Sequence, residues 1–462
     1  MIARLCSLFV DRESRGRGKT RVRLVAVVAA AVLALTGCET KVRSPEGGIQ
    51  AAIPPAEPIV PPGATPVEIT PLTSAPLPPP PTTAETIRVA VLLPLSGPSA
   101  ALGRALLDAA QLALFDLGDE RLELLPRDTG GTPEGAAAAA EDVLSVGARL
   151  IVGPVFSAET AAVAPRAQAA GINVLSLSND LSVAAPGVFV LGVPPRLQIE
   201  RVLTFARARG LSQYAALLPS NSYGAAVEAA LYETVNRSGG QIVTIERYEP
   251  GASDVSSVVR RLASYEQRRA ALEQQRRELE SRGDEISRQA LRRLDGIETL
   301  GEVAFDSVLL PDFGDRLLAI APLLPYYDID PSRVRFLGTA LWDDPRITRE
   351  PALVGGWFAA PPPEARDAFV KRYRAVYHQD PPRVATIIYD AVAMAAVLAR
   401  GENGADYSVE ALTNPVGFAG MDGVFRLRPD GSVDRNLAVL EVQRNGFRTV
   451  SPAAESFETP TQ

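Results

Sequence analysis

Histidine occurs once in 462 residues, at position 378, and cysteine twice, at positions 6 and 38. Nucleophile pairs of the Ser–His or Cys–His type need an imidazole as the activating base. With one histidine such pairs have very little material, and a zinc cluster built on histidines cannot be assembled. Carboxylates are plentiful but fall in no recognisable catalytic arrangement, so a carboxylate-pair hydrolase is the one catalytic class left open. Gly16-Arg-Gly-Lys-Thr20 has the look of a phosphate-loop tail, but the upstream glycine is missing at the required spacing. The apolar run at residues 24–35 falls short of the roughly 20 residues that span a bilayer. These absences point to a protein that is not an enzyme and takes no cofactor and no metal. A net charge of −7 repels phosphate backbones, so nucleic acid is not an expected partner either.

Hydrophobic residues make up 46% of the chain and charged residues 22%, a mix that can bury a full core. The first 37 residues read as a signal peptide: a basic stretch ending at Arg23, the apolar run, and then Leu35-Thr36-Gly37-Cys38. That ending resembles the lipobox of bacterial lipoproteins, which implies acylation of Cys38 and attachment to a membrane through the lipid. Glu39 resembles the pattern that releases a lipoprotein to the outer membrane. Residues 38–86 carry proline clusters such as Pro76-Leu-Pro-Pro-Pro-Pro81. Proline fixes φ and removes backbone donors, so this stretch is expected to be an extended tether.

From Ile87 the pattern changes to short apolar runs alternating with helical periodicity. Ile87-Arg-Val-Ala-Val-Leu-Leu-Pro94 reads as a buried parallel strand stopped by proline, and strands near 122–125, 150–152 and 173–176 alternate with helices. A second set of the same units begins near residue 198. The expected fold class is α/β, with two Rossmann-like doubly wound lobes. Residues 262–300 break the pattern. They are rich in Glu, Gln and Arg, with Leu272, Leu279 and Ile286 as a single thin apolar stripe, and read as a solvent-exposed helical insertion broken near Gly283.

Ser157 opens a helix directly after strand 150–152. A serine there caps free N–H groups, and those groups and the helix dipole attract an anion. The loop Ser176-Leu-Ser178-Asn179-Asp180 leaves the next strand at the C-terminal sheet edge, where open α/β sheets bind ligands. Ile87 to Pro98, Ile151-Val-Gly-Pro154, Gly171-Ile-Asn-Val-Leu-Ser176, Ser222-Tyr-Gly224 and Phe418-Ala-Gly-Met-Asp-Gly-Val-Phe425 follow one another as in the type 1 periplasmic binding proteins, the leucine-binding group, which the chain resembles over nearly all of 87–450. The resemblance implies three crossings between lobes that close on a ligand. It assigns 87–194 and 355–412 to lobe one, 195–354 and 413–450 to lobe two, and 451–462 to a tail. It also implies that Ser157 receives a ligand carboxylate, that Ser178, Asn179 and Asp180 form a ligand loop, that Leu102 covers the ligand, and that Tyr223 stacks from lobe two. The acidic residue that would meet a ligand ammonium falls near Ala340. The neighbouring Trp342 is counted with the ligand residues, and Asp180, Asp343 or Asp344 would have to serve as the counter-charge.

Two functions fit these expectations. One is a receptor that passes a small polar, amino-acid-like ligand to an ABC permease. The other follows a resemblance to the penicillin-binding protein activators, outer-membrane lipoproteins that use this fold to bind a peptidoglycan synthase.

Overall fold

The computed structural model describes residues 86–117, 120–401 and 404–457. The expected signal peptide, Cys38 and nearly all of the tether lie outside the described residues. The described residues all belong to one compact unit, Pro78–Gln462.

Lobe one opens with β1 (Ile87–Leu93), α1 (Ala100–Leu117), β2 (Leu122–Asp128), α2 (Pro133–Ser145), β3 (Leu150–Val152), α3 (Ser157–Ala169), β4 (Val174–Ser176) and β5 (Val188–Val190). The strands form one parallel sheet in the order β2-β1-β3-β4-β5. Every residue of β1 except Arg88 is buried, as a strand covered on both faces requires. Val89, Val91 and Leu93 point to the α1 side, while Ala90 and Leu92 point to α2 and α3.

Lobe two continues with α4 (Pro195–Ala208), β6 (Gln213–Pro219), α5 (Ser222–Ser238), β7 (Gln241–Tyr248), α6 (Ser256–Leu262), α7 (Tyr265–Arg282), α8 (Glu285–Leu294), β8 (Ser307–Leu309), α9 (Gly314–Ile320), α10 (Leu323–Tyr326), β9 (Arg335–Gly338) and β10 (Trp357–Ala360). The chain then returns to lobe one with α11 (Pro363–Tyr377), α12 (Ala385–Leu398) and α13 (Val409–Leu412), whose apolar faces join the core around β1. A small antiparallel sheet follows, of β11 (Phe418–Gly420), β12 (Gly423–Leu427) and β13 (Val433–Arg435). Finally β14 (Ala438–Gln443) and β15 (Gly446–Ser451) complete the second large sheet, ordered β15-β14-β10-β9-β8-β6-β7.

Two boundaries differ from the sequence expectation. β10 pairs with β9 and β14 of the second sheet, so the second crossing lies at 361–362 and not at 355. Phe425, Leu427 and Val433 of the small sheet pack in the lobe-one core, which moves the third crossing from 413 to about 436–437. These strands are short, and which sheet such a strand joins depends on partners distant in sequence. The first crossing runs through 191–194. Arginines lace the crossings together: Arg435 Nη2 donates to the Leu191 carbonyl (3.1 Å) and Arg201 Nε to that of Leu437 (2.7 Å).

The charged segment folds as a helical hairpin. Gly283 ends α7 in the left-handed region at φ 63, and Asp284 caps α8 by accepting the Ser287 N–H at 2.7 Å. Leu272, midway along α7, is buried, whereas Ile286 is 80% exposed. None of the described helices is long and apolar enough to cross a membrane.

Candidate functional site

The C-terminal edges of the two large sheets face one cleft of about 960 Å³. Lobe one contributes Phe156 and Ser157 at the start of α3 and the loop 177–182, and lobe two contributes α5 and the turn after β9. The crossings supply Gly192–Pro195 and Pro361. Glycine is required where α5 begins, because a Cβ on Gly224 would lie 1.9 Å from the Pro219 carbonyl oxygen. That close approach seats the preceding Tyr223 against the cleft. Gly192 plays the same part at the crossing, where a Cβ would lie 2.4 Å from the Ser178 oxygen.

Ser157, Ser178, Asn179, Asp180 and Tyr223 all line this cleft. Two of the residues expected beside them do not. Leu102 packs partly buried against the lobe-one core from α1. Trp342 is fully buried in lobe two, with its indole N–H donating to the Leu310 carbonyl at 3.0 Å. An indole with room in the core and a carbonyl partner gains more from burial than from facing solvent.

Ser157 also differs in role. The N-cap of α3 is Phe156, and Ser157 occupies the first helical position. The Phe156 N–H donates to the buried Glu159 carboxylate (3.2 Å). Burial pushes the Glu159 carboxyl up, and hydrogen bonds with Thr129, Phe156 and Val155 oppose that shift only in part. Asp180, in the loop that lines the cleft with Ser157, accepts the Ser182 N–H at 2.9 Å. Burial by itself would raise the Asp180 carboxyl, but bonds from Ser182 and Ser157 outweigh it and hold the group below the usual carboxylate range. The positive end of α3 therefore faces the protein's own acidic groups.

Ser178 is buried and accepts the Asp180 N–H at 3.0 Å, which shapes the loop and leaves its hydroxyl proton free to donate. On the opposite wall Tyr223 shares a hydrogen bond with Thr339 (3.1 Å), and burial pushes its phenol up to about 12, so it stays neutral. Beside it α5 presents Ala225, Ala226 and Ala229, a wall of small apolar side chains.

Three further cleft residues escaped the sequence reading. Gln198 accepts the Ala340 N–H (2.7 Å) and donates to Val193 O (2.7 Å), tying the first crossing to the turn after β9. Arg383, just before α12, donates to Asp422 at 2.9 Å. Its Nε lies 3.2 Å from Asp343, an ion-pair distance without hydrogen-bond alignment. Asp422 is fully buried and also accepts from Thr386 at 2.7 Å. Asp422 stands in the Phe418–Phe425 motif, which carries the family resemblance but no sign of a site role, and no local spacing distinguishes Arg383 or Gln198. Behind this group Asp390 lies 3.9 Å from Arg435. Burial, then the neighbouring Asp422 charge, pushes the Asp390 carboxyl up to about 7.

His378 ends α11 in the left-handed region, away from the cleft. Among the described residues no group of three His, Cys, Asp or Glu side chains could hold a metal ion.

The profile of the periplasmic binding protein family matches residues 86–447. The chain belongs to that family. Its members work in the periplasm, bind solutes and carry out no chemistry on them. Among solved structures, a branched-chain amino acid ABC transporter periplasmic ligand-binding protein from Burkholderia xenovorans superposes with TM-score 0.62 at 16% identity, covering 79% of this chain and 95% of that one. A solute-binding protein of an ABC transporter from R. palustris, in complex with benzoate, gives TM-score 0.55 at 17% identity over 81% and 98% of the two chains. These likenesses show the type 1 periplasmic binding fold. An uncharacterised protein of Rickettsia prowazekii is 24% identical over 178 residues, 38% of this periplasmic binding protein and 47% of the Rickettsia chain. The match thus spans about half the length of that relative.

Proposed function

We propose that the chain is a lipid-anchored receptor whose two lobes close on a small ligand and pass it to an ABC-type permease. The observation that carries this reading is the cleft itself. Lobe one lines it with polar groups on the 177–182 loop, and lobe two faces them with Tyr223 and an alanine wall. None of the lining residues is a histidine or a cysteine, which suits binding without turnover. Cys38 would hold the receptor to the outer membrane through a lipid, with residues 38–86 as the tether. The structural relatives named above are described with branched-chain amino acids and with benzoate, ligands that combine a polar end with an apolar body.

Thermal-shift and calorimetric titration of the full chain against amino acids and aromatic acids tests the reading. A ligand at a hundred times its Kd should stabilise the protein by about 2.7 kcal/mol. No saturable shift from any of them contradicts it.

A second reading, an activator of a peptidoglycan synthase, is favoured by the α7–α8 hairpin. It leaves Ile286 exposed and pairs its charges mainly within itself, as in Arg269–Glu273 and Arg288–Glu285. Capture of a synthase by the full chain, lost on deleting 266–293, would support that reading against the first.

A further inference from the structure

The three crossings are not the last stretch of backbone to pass between the lobes. β15 ends at Ser451, at the edge of the second large sheet, and the chain continues through 452–457. The start of this segment belongs to lobe two. Ala453 packs partly buried against the lobe-two core. Arg201 of α4 donates through Nη2 to the Ser451 hydroxyl (2.6 Å) and the Pro452 carbonyl (3.2 Å), while its Nε holds the Leu437 carbonyl at the third crossing. The middle of the segment is held at that crossing. The Asn436 side-chain amide donates to the carbonyls of Ala454 (2.9 Å) and Ser456 (3.2 Å), and its backbone N–H donates to Val424 of the small sheet at 3.1 Å.

The far end lies on lobe one. Phe457 is partly buried, with the Arg426 guanidinium carbon 4.5 Å from its ring centre. Arg426 is fixed for this contact. Its Nε donates to Asp434, directly opposite in the β12–β13 register, at 2.8 Å. The guanidinium plane is thereby set, and a cation held over an aromatic face is attracted by the ring quadrupole.

Residues 452–457 therefore run from lobe two, past the third crossing, to lobe one, with side chains of the body holding them at each stage. Hinge bending is absorbed by a few residues at the crossings. A segment anchored on both sides of the pivot must shift against its anchors whenever the lobe angle changes. Its contacts thus favour the angle at which all of them form together.

We propose that residues 452–457 form a strap across the hinge, a fourth link that narrows the range of angles open to the two lobes. This goes beyond the receptor reading and rests on it only for the hinge motion, not for any ligand.

Spin labels read the lobe angle as a distance. The full chain carries them at Glu134→Cys of lobe one and Glu249→Cys of lobe two, both exposed, with Cys6→Ser and Cys38→Ser. In pulsed-EPR distance distributions of the ligand-free protein, Phe457→Ala should raise the population outside the main distance about threefold, the scale of losing an exposed cation–π contact. Deleting 453–462 should raise it further. Phe457→Tyr keeps a ring under Arg426 and should match the parent. Should the deletion fail to fold, the two substitutions at Phe457 decide. Identical distributions in the parent and in folded Phe457→Ala overturn the strap, whatever the melting temperature does, and so does an equal widening in Phe457→Tyr. Absence of ligand binding in the titrations above overturns the receptor reading and leaves these ligand-free distances as they are.

Discussion

The two lobes share one plan and divide the work of the cleft differently. Lobe one has five parallel strands with helices on both faces, and at its end of the cleft stand two bonded pairs, Ser178 with Asp180 and Arg383 with Asp422. Lobe two adds the antiparallel β14 and β15 and a charged hairpin, and offers the cleft Tyr223 and an alanine wall together with Arg196, Gln198, Ser222 and Glu233. Polar groups therefore stand on both walls, while the stretch of small side chains belongs to lobe two. Among the described residues, Asp343 of lobe two joins the Arg383–Asp422 pair of lobe one.

The largest effect should come from breaking that network. Asp422→Ala leaves Arg383 with Asp343 as its one carboxylate partner and should cost about 3 kcal/mol in urea unfolding, the lower end for one partner removed from a buried pair. A loss under about 1 kcal/mol would mean that water already screens the network.

Gly224→Ala tests the alanine wall. Its new methyl would overlap the Pro219 carbonyl, and overpacking of this kind costs about 1–3 kcal/mol. The variant should also move Tyr223 and weaken ligand binding. The matching change at exposed Gly283, where nothing lies within 4 Å, strains only the backbone of the hairpin and should leave binding untouched.

Acidity sharpens the contrast further. The Asp390 carboxyl rises in the folded state from 3.8 to about 7. The folded protein therefore holds a proton that the unfolded chain has released, and this group's effect on stability worsens as pH climbs through that interval, levelling above about 7. Asp390→Asn should remove that decline, so its melting temperature gains more over the native protein at pH 8 than at pH 4. An equal difference at both pH values would contradict the assignment. The smallest expected effect is at Ser157. Removing its hydroxyl with Ser157→Ala should lower stability by about 1 kcal/mol at most, the scale of one hydrogen bond. It should also raise the Asp180 carboxyl in an NMR titration, and an unmoved Asp180 would break the contact.

Much of this plan was legible in the sequence because it is local. Ile87 to Leu93 is apolar nearly throughout, and proline and glycine punctuate the helices, so the alternating units and the 177–182 loop could be placed by pattern. What could not be read was pairing at a distance. The four residues of β10 carry no mark of the sheet they join, and the small sheet on lobe one follows a helix that gives no sign of its destination. At the site, Trp342 was drawn to the cleft by its neighbours in sequence, although a core cavity and the Leu310 carbonyl claim it. Arg383 was invisible for the opposite reason, since its partners Asp343 and Asp422 lie 40 and 39 residues away in sequence.

Hydrogen exchange of the full chain, with and without a saturating amount of the tightest binder among leucine, isocaproate and hydrocinnamate, tests the shared cleft most directly. The account predicts slowed exchange in both walls together, at 156–160 and 178–182 of lobe one and at 222–226 of lobe two. Protection confined to one lobe, or appearing at 265–294 instead, would contradict it.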